Sequence, residues 1–160
     1  PPSSFWCGGV NSPHPKEFQI FYERGLFKNF MDRYSSSFIG RYNDKVENQF
    51  YWYIRPQETG NKTDVRWLSL LDNEGQGVKI TGLQPIAFSA LHFSPEDLDP
   101  GLTRKMQHTI DIVPQKNIFL HIDLKQRGLG GDNSWGMYPH NEYRLLDKKY
   151  SYSYMIELID

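Results

Sequence analysis

Apolar residues in this chain recur at every second position in short runs, and that alternation restricts the fold more than any other feature of the sequence. The clearest run sets Ile118, Leu120, Ile122 and Leu124 against Phe119, His121 and Asp123, the pattern of a strand with one face buried. A second sets Tyr150, Tyr152, Tyr154, Ile156 and Leu158 against Ser151, Ser153, Met155 and Glu157, with the aromatic and β-branched content that suits a pleated surface. Further strands are expected over 18–22, 38–42, 49–54, 65–71, 78–81, 86–92 and 109–113, separated by turn-formers such as Asp72-Asn73-Glu74-Gly75 and Thr59-Gly60-Asn61. Strands this short and this numerous predict an all-β fold.

Helix is expected in two places only. Ser94-Pro95-Glu96-Asp97 supplies a capping residue, a proline for the first helical position and carboxylates for the first turn, and Pro100-Gly101 stops the helix after one or two turns. The carboxylates of Glu96, Asp97 and Asp99 are explained by that turn. Over 26–33, Leu26, Phe27, Phe30 and Met31 stand at helical spacing, although a turn with buried aromatics gives the same pattern.

Residues 1–160 contain no repeat, low-complexity tract or linker, so a single domain with its own core is expected. Cys7 is the single cysteine, which excludes an intrachain disulfide framework or a cysteine zinc cage and leaves the compartment open between cytoplasm and periplasm. With 18 Lys+Arg against 19 Asp+Glu and a formal charge of -1, the chain lacks the basic surplus from which nucleic-acid binding draws its affinity. No run reaches the length of a membrane-spanning helix and no leader is visible, so neither nucleic acid nor membrane is an expected partner. The start, Pro1-Pro2 rather than Met, suggests a piece of a longer reading frame or removal of a leader.

Chemistry points first to Gly128-Leu129-Gly130-Gly131-Asp132-Asn133-Ser134-Trp135-Gly136. One reading is a loop whose glycines supply positive φ angles while Trp135 plugs the end of the sheet. The other is a sugar platform, with the Trp135 indole against the C–H face of a pyranose and Asp132, Asn133 and Ser134 meeting its hydroxyls. A phosphate cradle is excluded, since neither the dinucleotide nor the P-loop pattern is present. Residues 55–68 form a dense polar stretch in which Arg–carboxylate pairs would tie a loop down; Glu58 and Asp64 can also be written as a glycosidase pair, at a separation the sequence does not give. The five histidines have no metal-ligand spacing, and Cys7, Ser89 and Ser134 have no nucleophile elbow, so no metal site and no catalytic residue is expected in this chain.

Several segments taken together resemble the C-terminal, small-chain domain of glycoside hydrolase family 2 β-galactosidases of the bacterial LacZ type. They are Tyr22-Glu23-Arg24-Gly25, Asn29-Phe30-Met31-Asp32-Arg33, Arg55-Pro56-Gln57-Glu58-Thr59-Gly60-Asn61-Lys62-Thr63-Asp64-Val65-Arg66-Trp67, Phe88-Ser89-Ala90-Leu91-His92, Glu96-Asp97-Leu98, and the run from Gln126-Arg127 through Gly136. The resemblance covers about residues 20–158 and implies an antiparallel β-sandwich, part of a galactose-mutarotase-like supersandwich, with Trp135 stacking on sugar at the mouth of a barrel active site. It also implies that the catalytic glutamates, the galactose-holding residues and the ligands of the family's Mg and Na lie in other domains. The expected partners are then galactosides and those remaining domains, and the chain alone is expected to be inactive. The competing expectations are an autonomous galactoside-binding module and a non-binding structural or oligomerising remnant. A mutarotase-type enzyme would need an acid–base pair on the sheet face, for which fold analogy alone argues.

The chain departs from the family pattern where Tyr-Gly-Arg-Gly-Pro is replaced by Tyr22-Glu23-Arg24-Gly25-Leu26 and where Met31 occupies a common Pro position. Losing a Gly and a Pro leaves the geometry of that corner open. The match also covers little more than half of the family domain, so an edge or face normally covered must be closed either by self-association as a homo-oligomer or by residues 1–21 laid along it.

Overall fold

The structure, a computed structural model, describes residues 4–10, 18–25, 27–99, 101, 107–133 and 135–160. Seven strands among them form one antiparallel sheet: β1 (Ser4–Val10), β2 (Gln19–Arg24), β3 (Ile39–Lys45), β4 (Lys62–Leu71), β5 (Gly77–Leu91), β6 (Ile118–Asp123) and β7 (Tyr154–Ile159). Their order is β1-β6-β5-β4-β2-β3, with β7 also paired to β5. The expected all-β, antiparallel class is the one observed. One helix, α1 (Pro95–Leu98), starts where the sequence places it, with Ser94 Oγ accepting from the Asp97 N–H and Asp97 Oδ2 accepting from the Ser94 N–H.

β5 fuses two expected strands into one of 15 residues. Its first part pairs with β7, from Gly77↔Ile159 to Gly82↔Tyr154, and its last part with β6, from Ala87↔Asp123 to Leu91↔Phe119. β7 and β6 therefore follow one another along the same side of β5. Between Val65↔Ile86 and Trp67↔Thr81, two steps along β4 face five along β5. Gly82-Leu83-Gln84-Pro85, opposite the single residue Arg66, form a bulge that accommodates a proline without an N–H inside a long strand; the Leu83 N–H donates instead to the Ser153 carbonyl at 3.0 Å.

Alternation places Ile118, Leu120 and Ile122 of β6 in one core with Ile86, Phe88 and Ala90 of β5 and Val65, Leu68 and Leu70 of β4. Phe119 and Asp123, expected on an open face, are buried as well. A second apolar cluster of Phe50, Leu91, Phe93, Leu98 and Ile112 lies beyond that face. Neither 49–54 nor 109–113 is a strand; Phe50 and Ile112 enter this cluster, where Phe50 packs on Phe93 with ring centroids 4.4 Å apart, and 109–111 forms a single 3-10 turn. The N-terminal segment lies along one edge of the sheet, for β1 pairs with β6 from Ser4↔Asp123 to Val10↔Ile118.

Residues 27–33 form a corner, not a helix, and Leu26 lies outside the described residues. The reason is Asn29, fully buried, whose N–H donates to the Asn61 carbonyl and whose Oδ1 accepts from the Thr63 N–H at 2.7 Å. Asn61, equally buried, returns a bond from Nδ2 to the Asn29 carbonyl at 2.7 Å. Groups that a helix would pair internally are thus committed to β4. The altered corner at Glu23 is also anchored there: its carboxylate receives Arg66 Nε at 2.8 Å, Arg66 Nη2 at 2.7 Å and the Arg66 N–H at 3.1 Å. Burial alone would push the Glu23 carboxyl up, but these bonds and the Arg66 charge hold it below the ordinary carboxylate range.

Lys62 opens β4 and is buried, with Nζ donating to Gln49 Oε1 at 3.0 Å and to the Gly60 carbonyl at 3.3 Å beside the Tyr22 ring. Burial drives its ammonium down to about 8 from an ordinary 10.5, with the charge of Asp44 opposing in part. Between those two values the unfolded chain holds the proton that the folded chain has lost, so stability rises with pH across that window. From pH 10 upward Tyr22, pushed up to about 12 by burial, works in the opposite sense. Urea unfolding at pH 8 and pH 10 is expected to show a gain in stability for the native chain that is reduced or absent in Lys62→Met.

Candidate functional site

The glycine-rich segment begins four residues after β6 ends, so its position is set by the sheet. Two further elements pin it. The Gly128 N–H donates to the Tyr143 carbonyl at 2.8 Å, and the Gly130 N–H donates to Asp32 Oδ2 at 2.7 Å across 98 positions of sequence. These contacts need glycine, because a Cβ at 128 would lie 2.8 Å from Tyr143 Cβ and 2.9 Å from Asp32 Cγ. A Cβ at 131 would collide with the backbone of Met137. At 130 the nearest obstacles are side-chain ends, Arg33 Nη2 at 2.9 Å and Asp32 Oδ2 at 3.2 Å, not backbone.

Beyond Gly131 the loop is shaped by its own polar groups. Asn133 Oδ1 accepts from the Trp135 N–H at 2.9 Å, and Asp132 Oδ1 lies 2.7 Å from His140 Nε2. The Asp132 hydrogen bond and charge raise the His140 imidazole above its ordinary value. Gly136 follows with φ +102°, a left-handed conformation that favours glycine. The result is a loop that turns its indole outward: Trp135 is 91 % exposed and plugs nothing. Beneath the loop a hollow of about 570 Å³ is lined by Asp132, Gly136, Met137, Tyr138, His140 and Arg144, with the Arg144 guanidinium 5.0 Å from the centre of the Tyr138 ring.

The structure thus brings Asp132, Asn133 and Trp135 together, while Ser134 lies outside the described residues. Asp132 and Asn133 each use one side-chain oxygen to hold the loop. Glu58 and Asp64 are not brought to one cavity: Glu58 lines the large cleft beside α1, and Asp64 is outside it, exposed in a bulge of β4 with φ +56°. Among the described residues no three His, Cys, Asp or Glu side chains converge to hold a metal ion. Sequence reading missed Asp32, His140 and Tyr143. Asp32 stood in a segment that carried the resemblance, but no local pattern pairs it with Gly130.

Comparison with known proteins bears on the family of the whole chain. The family whose description reads "Beta galactosidase small chain" matches residues 9–156. The chain is 34% identical over 125 residues to a β-galactosidase of Priestia megaterium and 31% identical over 139 residues to one of Streptococcus thermophilus, which covers 78% and 86% of this chain. A β-galactosidase of Lactobacillus delbrueckii subsp. bulgaricus is 33% identical over 140 residues, 86% of this chain. The chain spans only 12% to 13% of the length of these relatives.

Two outcomes are expected. Gly131→Ala should lower stability by about 1–3 kcal/mol through its collision with backbone, and Gly130→Ala by less, as read by thermal unfolding and by the amide shifts of 132–138. In a proton NMR titration, Asp132→Asn should move the His140 midpoint down toward its ordinary value.

Proposed function

The chain belongs to the β-galactosidase small-chain family, and from that premise we propose that it is the part of a β-galactosidase of the glycoside hydrolase family 2, LacZ type, that presents Trp135 to a galactoside held mainly by other domains. The observation that carries this reading is an indole 91 % exposed on a loop pinned through Asp32, Tyr143, Asn133 and His140. A large apolar ring left in water is unfavourable unless something covers it, and a loop held this firmly loses little freedom when it is covered.

In the proposed role the chain performs no bond-breaking step. The flat indole covers the C–H side of a pyranose, while Asp132 and Asn133 edge the same platform and meet hydroxyls of the sugar. Hydrolysis, with its two carboxylates, belongs to domains outside this chain. The remaining domains of the enzyme are then partners of this one.

The test is a chimera in which this chain replaces the matching segment of the Priestia megaterium relative. Trp135→Ala in that chimera is expected to raise KM for lactose roughly 3- to 10-fold, the scale of one aromatic contact; an unchanged kcat/KM overturns the proposal. In parallel, NMR titration of the 160-residue chain with galactose and lactose reports whether the loop binds unaided. Saturable shifts of the Trp135 indole N–H, lost in Trp135→Ala, would favour an autonomous module instead.

A further inference from the structure

Among the described residues β7 pairs with β5 alone. Its outer edge therefore offers alternate backbone N–H and C=O groups to a further strand. Edges of this kind are ordinarily guarded by charge, proline or a bulge. β3, at the far end of the sheet, is guarded in that way, with Arg41 and Lys45 exposed along it. β7 is not: Tyr154–Ile159 contains no Lys, Arg or Pro, and its one charge, Glu157, lies 3.7 Å from Lys79 of β5.

The side chains of β7 point the same way. Residues directly opposite one another share a face of the sheet. Ile156 stands opposite the buried Ile80, and Leu158 opposite Val78, which packs on the main core. Both continue the core face outward, yet they are 50 % and 79 % exposed. On the reverse face Met155, opposite Thr81, is half exposed as well. An edge with ladder groups to offer and apolar side chains on both faces fits an extended strand.

The sequence of β7 is itself such a strand, and its pattern selects one way of pairing with a second copy. Laid antiparallel and centred on Ile156, two copies set Ile156 opposite Ile156, Tyr154 opposite Leu158 and Met155 opposite Glu157. The core faces then join in an unbroken apolar stripe, and each Glu157 keeps its Lys79. Centring on Glu157 would put two carboxylates directly opposite. Centring on Met155 would carry Leu158 past the start of the other β7. Registers that pair odd positions with even ones would set the core face of one copy beside the reverse face of the other.

We propose that the chain forms an isologous, twofold dimer in which β7 strands of two copies pair antiparallel about Ile156 and join the two sheets into one. Six residues a side is a small contact beside the roughly 20–30 of a stable interface, so a Kd of about 10–500 μM is expected. The dimer does not depend on the role proposed for Trp135.

The experiment is sedimentation equilibrium of the 160-residue chain from about 5 μM to about 1 mM, with circular dichroism to report folding. A monomer–dimer equilibrium is expected. Leu158→Lys, at an exposed position, and Ile156→Lys, which opposes two ammonium groups on the twofold axis, should each weaken it about 10-fold or more with the native spectrum retained. Register is read by oxidation in a Cys7→Ser background: Ile156→Cys should form a disulfide-linked dimer, and Glu157→Cys should do so far more slowly. A monomer throughout the range overturns the proposal and leaves the edge to a strand from elsewhere in the enzyme. A dimer of equal strength in both lysine variants, or faster linkage through position 157 than through 156, overturns it too. Trp135→Ala should dimerise as the native chain does, so failure of this proposal is distinguishable from failure of the sugar platform.

Discussion

Two buried asparagines hold the structure in register. Asn29 and Asn61 exchange bonds through backbone and side chain, and Thr63 joins them. A carboxamide both donates and accepts, so asparagine can satisfy a carbonyl and an N–H that no ladder reaches. In a dry environment each such group left unpaired is worth about 1–3 kcal/mol. The interlock fixes the corner at 27–33 against β4, the corner carries Asp32, and Asp32 holds the Gly130 N–H. The orientation of Trp135 is therefore inherited from contacts made far from it, at the start of β4.

Charge is used sparingly and locally around that frame. Glu23 accepts a fork of bonds from Arg66 and so binds β2 to β4 by side chains as well as by the ladder. Lys62 takes a less usual course: its ammonium is buried against the neutral acceptors Gln49 and Gly60, and Gln49 in turn donates to Asp44 at 3.1 Å. A carboxamide thus relays the carboxylate's influence to a lysine that does not touch it. The arrangement ties the 3-10 turn at Val46–Gln49 to the first residue of β4.

What the sequence made legible follows from which forces are local. The β6 strand, the α1 cap and the turn before β5 are written in neighbouring residues, and all three are found, although β6 is buried on both faces where its alternation predicted one. The expected helix over 26–33 fails because the competing partners of Asn29 stand more than thirty positions away. Residues 49–54 look like a strand because Phe50 and Trp52 are aromatic, but Phe50 is taken into a second cluster with Leu91, Phe93 and Leu98, and the half-exposed Trp52 ring rests against Phe50. At the candidate site the glycines and Trp135 announced a shaped loop. Its direction depended on Asp32 and His140, and an aspartate or histidine carries no mark in the sequence of which distant group it will meet.

The pairing of β1 with β6 sets the order in which this fold can be completed. Ser4 lies opposite Asp123, so β1 depends on a partner strand far along the sequence. Until β6 has joined β5, β1 has no edge to add to. Contacts of such long sequence separation carry a large loop-closure entropy and slow folding. In the meantime the unpaired strand is exposed to association with other chains.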